Sequence, residues 1–161
     1  MLWLALLLTY IVPEPLEASE RSVVSQTIPE VSATTPMGVR ETISQYRGSV
    51  VVLDVWAAWC APCVAEIPSH RELVRKLGKR GLIFVSANAD ADPKVLRRFI
   101  LTHPMPWRHW LVGRDKAFSR KLDVRSYPTL FVLDRRGIIR HKNIRGKRLE
   151  AAVEKLLEEK K

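Results

Sequence analysis

Cys60 and Cys63 are the only cysteines in 161 residues, and they sit close together in the stretch "VVLDVWAAWCAPCVAEIP", which ends at Pro68. Three chemistries use two cysteines at this spacing. A structural disulfide here closes a very small loop. Loop-closure entropy grows with loop length, so such a bridge constrains the unfolded chain little. A zinc site takes about four ligands. The pair offers two, and the four histidines, His70, His103, His109 and His141, show no familiar ligand spacing. A soft cuprous ion held by two thiolates is harder to set aside. The third chemistry is redox exchange, in which one thiolate attacks a partner's disulfide and the second thiol resolves the mixed disulfide. It needs the first cysteine at the start of a helix, where free N–H groups and the helix dipole favour thiolate over thiol. On this reading Cys60 is the nucleophile and Cys63, one turn further in, is the resolving thiol. Two carboxylates flank the pair. Asp54 lies in an apolar run, where burial raises a carboxyl pKa and suits it to take the Cys63 proton. Glu66, three residues past Cys63, is placed to do the same from the helix.

The elements around the pair read clearly. Residues 50–55 form a β-branched apolar run, the pattern of a strand buried on both faces. The following helix has Pro62 in its first turn, where a missing N–H costs little. Its apolar stripe is Ile67, Leu73, Val74 and Leu77, and Pro68 is expected to kink it. Leu82–Asn88 is a second buried strand. Asp92 and Pro93 cap a helix running to about Leu101. Residues 103–112 form a loop leading to a short strand, and a helix lies near residues 115–122. Residues 129–141 read as two strands joined by a turn at 134–137. A last helix carries Leu149, Ala152, Val153, Leu156 and Leu157 on one stripe. The order β-α-β-α, then α-β-β-α, predicts an α/β fold: one central mixed β-sheet, part parallel crossover and part antiparallel hairpin, flanked by helices on both faces.

"WCAPC" following "VVLDVWAA" resembles the active-site segment of thioredoxin-fold proteins. "YRGSVVVLDVWAAWCAPC" is similar to the opening of the extracytoplasmic TlpA/ResA-like redoxins. The sequence "CVAEIP" places Glu66 and Pro68 as several of those proteins do. "SYPTLFVLDRRGIIR" resembles the segment carrying the family's cis-proline, here Pro128. The resemblance covers about residues 37–157 and implies a thioredoxin-like fold and a thiol–disulfide oxidoreductase. It implies a redox disulfide Cys60–Cys63, with Ala61 and Pro62 filling the turn between them and Trp59 beside the nucleophile. It also implies a docking role for Tyr127 and Pro128, where an extended substrate strand pairs with the backbone. Tyr127 departs from thioredoxin, which carries a smaller aliphatic residue there. Asp54 matches the buried aspartate of thioredoxin, whereas some TlpA/ResA-like members lack an acid at that place. Trp107, His109 and Trp110 read as packing residues of the family's longer middle section.

Composition sets the remaining bounds. A hydrophobic content of 47% is ordinary for one globular domain. The net charge of +10 is uneven: residues 1–66 hold three Lys/Arg against seven Asp/Glu, and residues 67–161 hold 24 against ten. No nucleic-acid-binding motif accompanies the basic part, so no nucleic-acid partner is expected. Residues 1–20 contain an apolar run too short to span a bilayer and of the length of a secretory core, although no basic residue precedes it. They read as a signal peptide or short targeting segment, which allows membrane association through the N-terminus. Residues 21–36, mixed Ser, Thr, Pro and acid, read as a linker or irregular lead-in, and residues 37–161 as the domain. An exported chain meets an oxidising compartment. The expected activity is thiol–disulfide exchange with protein substrates outside the cytoplasm, with a redox partner resetting the pair. Copper handling by the same dithiol is the alternative. The cysteines carry the electrons, so no cofactor is expected.

Overall fold

A computed structural model describes residues 23–159. Its seven strands are β1 (Ser32–Thr34), β2 (Arg40–Thr42), β3 (Val50–Trp56), β4 (Leu82–Asn88), β5 (Arg108–Leu111), β6 (Thr129–Leu133) and β7 (Ile139–Lys142). They form one sheet in the order β2-β1-β5-β4-β3-β6-β7. β3 pairs parallel with β4 and antiparallel with β6, and β4 pairs parallel with β5. The sheet is therefore mixed, as expected. β3 is buried along its whole length, which explains its unbroken apolar composition.

Four helices complete the fold: α1 (Ala61–Leu77), α2 (Pro93–Thr102), α3 (Lys116–Lys121) and α4 (Gly146–Glu158). Alternation along β3 divides the core in two. Val50 and Val52 pack with Leu73 and Leu77 of α1 and with Leu149, Val153 and Leu156 of α4. Val51, Leu53 and Val55 pack on the other face with Phe118 of α3, Trp110 and Tyr46. Asp54 shares the parity of Val50 and Val52, so it faces α1. Asp92 caps α2, its carboxylate accepting the Lys94 N–H at 2.9 Å. The turn at 134–137 is held by Asp134 Oδ1, which accepts the N–H groups of Arg136 and Ile138, with Gly137 at φ +73°. Pro68 is accommodated inside α1, which continues through it.

The expectation for residues 21–36 needs correction. Ser25 and Ile28 donate backbone hydrogen bonds to Ile139 and Gly137, Ile28 and Val31 are buried, and β1 joins the sheet between β2 and β5. The polar composition hid a few well-spaced apolar residues whose burial is enough to seat the segment in the sheet. Glu41 of β2 fastens this edge: its buried carboxylate accepts from Tyr46 Oη at 2.6 Å, Trp110 Nε1 at 2.8 Å and Arg108 Nη1 at 3.1 Å. Residues 1–20, expected to be a targeting segment, lie outside the described residues.

Candidate active site

β3 ends at Trp56, and a short turn delivers Cys60 to the N-cap of α1. The turn is pinned from the neighbouring strand. Asp90 Oδ2 accepts the Ala58 N–H at 2.8 Å and the Asn88 side chain at 2.7 Å. Cys60 and Cys63 are joined in a disulfide, and the Cys63 N–H points at Cys60 Sγ at 3.3 Å. In this oxidised state both sulfur residues are nearly covered, at 6% and 3% exposure. Exposure therefore separates them little, and the N-cap position is what distinguishes Cys60. Ala61 and Pro62 occupy the exposed first turn. Trp59 is 69% exposed and stands edge-on to Tyr127, ring centroids 5.8 Å apart. The Tyr127–Pro128 peptide bond is cis. The structure thus gathers Trp59, Tyr127 and the cysteine turn on one face.

Behind the pair lies a buried cluster of ionisable groups. Asp54 and His70 are buried, and the Asp54 carboxyl is pushed up to about 7. Burial is the main cause, the Glu66 charge adds to it and Arg145 opposes it. Oδ1 of Asp54 and Oε2 of Glu66 have no hydrogen-bond partner. Burial also lifts the Glu66 carboxyl above its ordinary value, although the Arg145 guanidinium, in contact with Glu66 Oε1, pulls the other way. His70 stands between the two acids, its Nδ1 3.8 Å from Asp54 Oδ2 and its Nε2 3.7 Å from Glu66 Oε2. Burial, with help from the Arg145 charge, lowers its pKa to about 4, so the imidazole is neutral near pH 7. His70 also lines a cavity of about 220 Å³ with Ser69 and Gly146. Arg145 reaches on to the front, donating to the Pro128 carbonyl at 2.9 Å.

Sequence reasoning named Asp54 and Glu66 but missed His70, Arg145 and Asp90. His70 was within reach, because it falls on the stripe of Ile67, Leu73 and Leu77 and is four residues from Glu66. Arg145 and Asp90 carry no local signal. Trp107, His109 and Trp110 are packing residues as expected. Trp110 is buried, Trp107 packs tilted against Phe84 with ring centroids 5.0 Å apart, and His109 bonds Ser86 and the Met105 carbonyl.

Set on a parallel β3–α1–β4 crossover and faced by the loop of Pro128, the cysteine pair makes this a thioredoxin-like protein equipped for thiol–disulfide exchange. The sequence matches the redoxin family over residues 23–157, and the chain belongs to that family. It is 30% identical to "Thioredoxin-like protein YneN" of Bacillus subtilis, over 71% of this chain and 67% of that protein. It is also 30% identical to "Thiol-disulfide oxidoreductase ResA" of Geobacillus kaustophilus, over 73% of this chain and 67% of that one. Among solved structures, the thioredoxin domain of a Bacteroides vulgatus thiol-disulfide oxidoreductase superposes with a TM-score of 0.79 at 21% identity, covering 83% of this chain and 97% of that chain. A Chlorobium tepidum structure described as a putative thiol:disulfide interchange protein DsbE gives 0.73 at 25% identity, covering 83% and 94%. The chain is a TlpA/ResA-like thiol–disulfide oxidoreductase.

Proposed function

We propose that the chain exchanges disulfides with protein substrates outside the cytoplasm, through Cys60 as nucleophile and Cys63 as resolving thiol. The observation that carries this reading is the Cys60–Cys63 disulfide at the N-cap of α1, backed by the buried Asp54 carboxyl. In the reducing direction, the Cys60 thiolate attacks one sulfur of a substrate disulfide, and the other sulfur leaves as thiolate. Cys63 then loses its proton and attacks Cys60 Sγ. The substrate's second sulfur departs, and two electrons have passed to the substrate. A dithiol partner reverses the change on the enzyme. In the oxidising direction the same steps run backwards.

Asp54 is the preferred acceptor of the Cys63 proton, because a carboxyl titrating near 7 can both take and return a proton at neutral pH. Glu66 is less suited, since the contact with Arg145 favours its charged form. His70, neutral and in contact range of both acids, connects them to the cavity behind α1. Trp59, Ala61, Pro62, Tyr127 and Pro128 shape the face a substrate meets. The apolar run within residues 1–20 supports export, and the names of the ResA and DsbE relatives agree with a thiol–disulfide role.

The test is trapping. Cys63→Ser is expected to accumulate mixed disulfides with extracytoplasmic proteins through Cys60, and Cys60→Ser is not. Tight cuprous binding by the reduced protein, with negligible disulfide exchange, would sink this reading in favour of metal handling.

A further inference from the structure

A groove of about 720 Å³ opens beside the cysteine turn. Its lining carries two chemistries. One is apolar and belongs to the active-site face, where Trp59 and Tyr127 line it. The other is a basic wall formed by Arg114, Lys116, Arg120 and Arg125, all exposed. Lys116 and Arg120 are four residues apart on α3, so they share one helix face.

The local acids do not neutralise this wall. Asp123 is the one carboxylate lining the groove, and it is engaged by Arg125 Nε at 2.7 Å and lies 3.7 Å from Lys142 Nζ. Asp115, between Arg114 and Lys116 in sequence, turns its Oδ1 into the backbone of α3, accepting from Ala117 and Phe118. Asp90 is likewise spent on Ala58 and Asn88. Arg114, Lys116 and Arg120 have no ion-pair partner among the described residues. Three cations without an ion-pair partner among the described residues, gathered on a concave surface, set up a field that recruits negative charge, and arginine adds planar, two-pronged recognition of carboxylates.

We propose that this groove takes an acidic extended segment of the protein substrate adjacent to its reactive cysteine. Trp59 and Tyr127 hold the residues next to the sulfur, and the basic wall pairs with Asp and Glu side chains further along. The inference rests on the oxidoreductase reading above and adds the substrate's charge class. The choice of a protein over a nucleic acid follows from continuity with the cysteine face, since a substrate here must present sulfur to Cys60.

The experiment compares three disulfides with the full-length protein: a peptide disulfide flanked by Asp and Glu, the same peptide with Lys flanks, and uncharged 2-hydroxyethyl disulfide. The expected result is a preference of about ten-fold or more in kcat/KM for the acidic peptide at low salt, shrinking as salt is raised. Lys116→Glu/Arg120→Glu should invert that preference, and Lys116→Gln/Arg120→Gln, which leaves Arg114, should weaken it. Both variants should reduce 2-hydroxyethyl disulfide at the wild-type rate, which also shows that they are folded. No turnover of 2-hydroxyethyl disulfide by the wild type would remove the oxidoreductase reading itself. Turnover with equal rates on the two peptides, or a preference that survives charge reversal, would overturn the groove assignment alone. Binding of a labelled single-stranded oligonucleotide that the charge reversal abolishes, without any peptide preference, would overturn it too.

Discussion

Replacing Asp54 with Asn should stabilise the fold by an amount that depends on pH, and the dependence can be worked out in advance. The Asp54 carboxyl rises from 3.8 to about 7 on folding. The folded state therefore holds a proton that the unfolded chain has released, over the window from about 4 to about 7. Stability falls as pH rises through that window and is level above it. At about 1.4 kcal/mol per pH unit, the full loss is about 4 kcal/mol by pH 8. His70 has the opposite sign. Its pKa is lowered from 6.5 to about 4, so stability is lost as pH falls through 6.5, when the unfolded imidazole charges and the folded one does not. The two slopes largely cancel between pH 4 and 6.5, so wild-type stability changes little there on their account. The informative quantity is the difference between wild type and Asp54→Asn, from which the His70 contribution drops out. Burying an unpartnered amide has its own cost of about 1–3 kcal/mol, but that cost is constant with pH. Urea unfolding of both oxidised proteins from pH 4 to 9 reads the difference directly. The gap should widen in favour of Asn by about 4 kcal/mol between pH 4 and pH 8. A gap that is flat with pH would refute the reasoning, because Asp54 would then titrate alike in the folded and unfolded chain.

Limiting iodoacetamide on the reduced protein should label Cys60 before Cys63, read by peptide mass spectrometry, since the N-cap position favours thiolate there. Asp54→Asn should slow release of the mixed disulfide in single-turnover assays across pH, and Glu66→Gln should slow it less; loss of the pH-dependent step in Glu66→Gln alone reverses that ranking. Arg145→Gln removes the cation that lowers both carboxyls, so the midpoint of the pH–rate profile should move to higher pH. Deleting residues 1–20 should leave cooperative unfolding and activity intact. Deleting residues 1–36 should destabilise the fold, because it removes β1 from between β2 and β5 and takes the buried Ile28 and Val31 with it.

The parts of this protein legible in its sequence are those set by local chemistry. The apolar run of β3, the proline at the start of α1, the Asp92–Pro93 cap and the turn closed by Asp134 each depend on residues within a few positions of one another. The cysteine pair and Pro128 carried a family likeness as well. What escaped notice depends on long-range contacts. Arg145 reaches Glu66 across most of the fold, and nothing near residue 145 announces it. Glu41 looks like an ordinary edge-strand acid until Tyr46, Trp110 and Arg108 converge on it. His70 sits in an apolar stripe where a single polar residue is easily passed over. β1 failed for a different reason: three residues give too little pattern to separate a strand from a Ser- and Thr-rich lead-in.

Helix α1 separates two environments with different tasks. In the proposed mechanism its N-terminal face, with Trp59 and Tyr127, accepts a substrate closely enough to exchange sulfur atoms, and a bound substrate shuts water out from that side. Resolution still requires Cys63 to lose a proton while the substrate is in place. The acids available for it lie on the opposite side of the pair, where Asp54 and Glu66 meet His70 and the cavity lined by Ser69 and Gly146. That arrangement lets the proton be handled behind the helix while the front remains covered. Arg145 touches both sides: it holds Glu66 in the rear cluster and donates to the Pro128 carbonyl at the front. The guanidinium that lowers both carboxyl pKa values is therefore also tied to the Pro128 loop. In the proposed mechanism, one side chain thus links the Pro128 loop that a substrate meets with the acid cluster that would take the Cys63 proton.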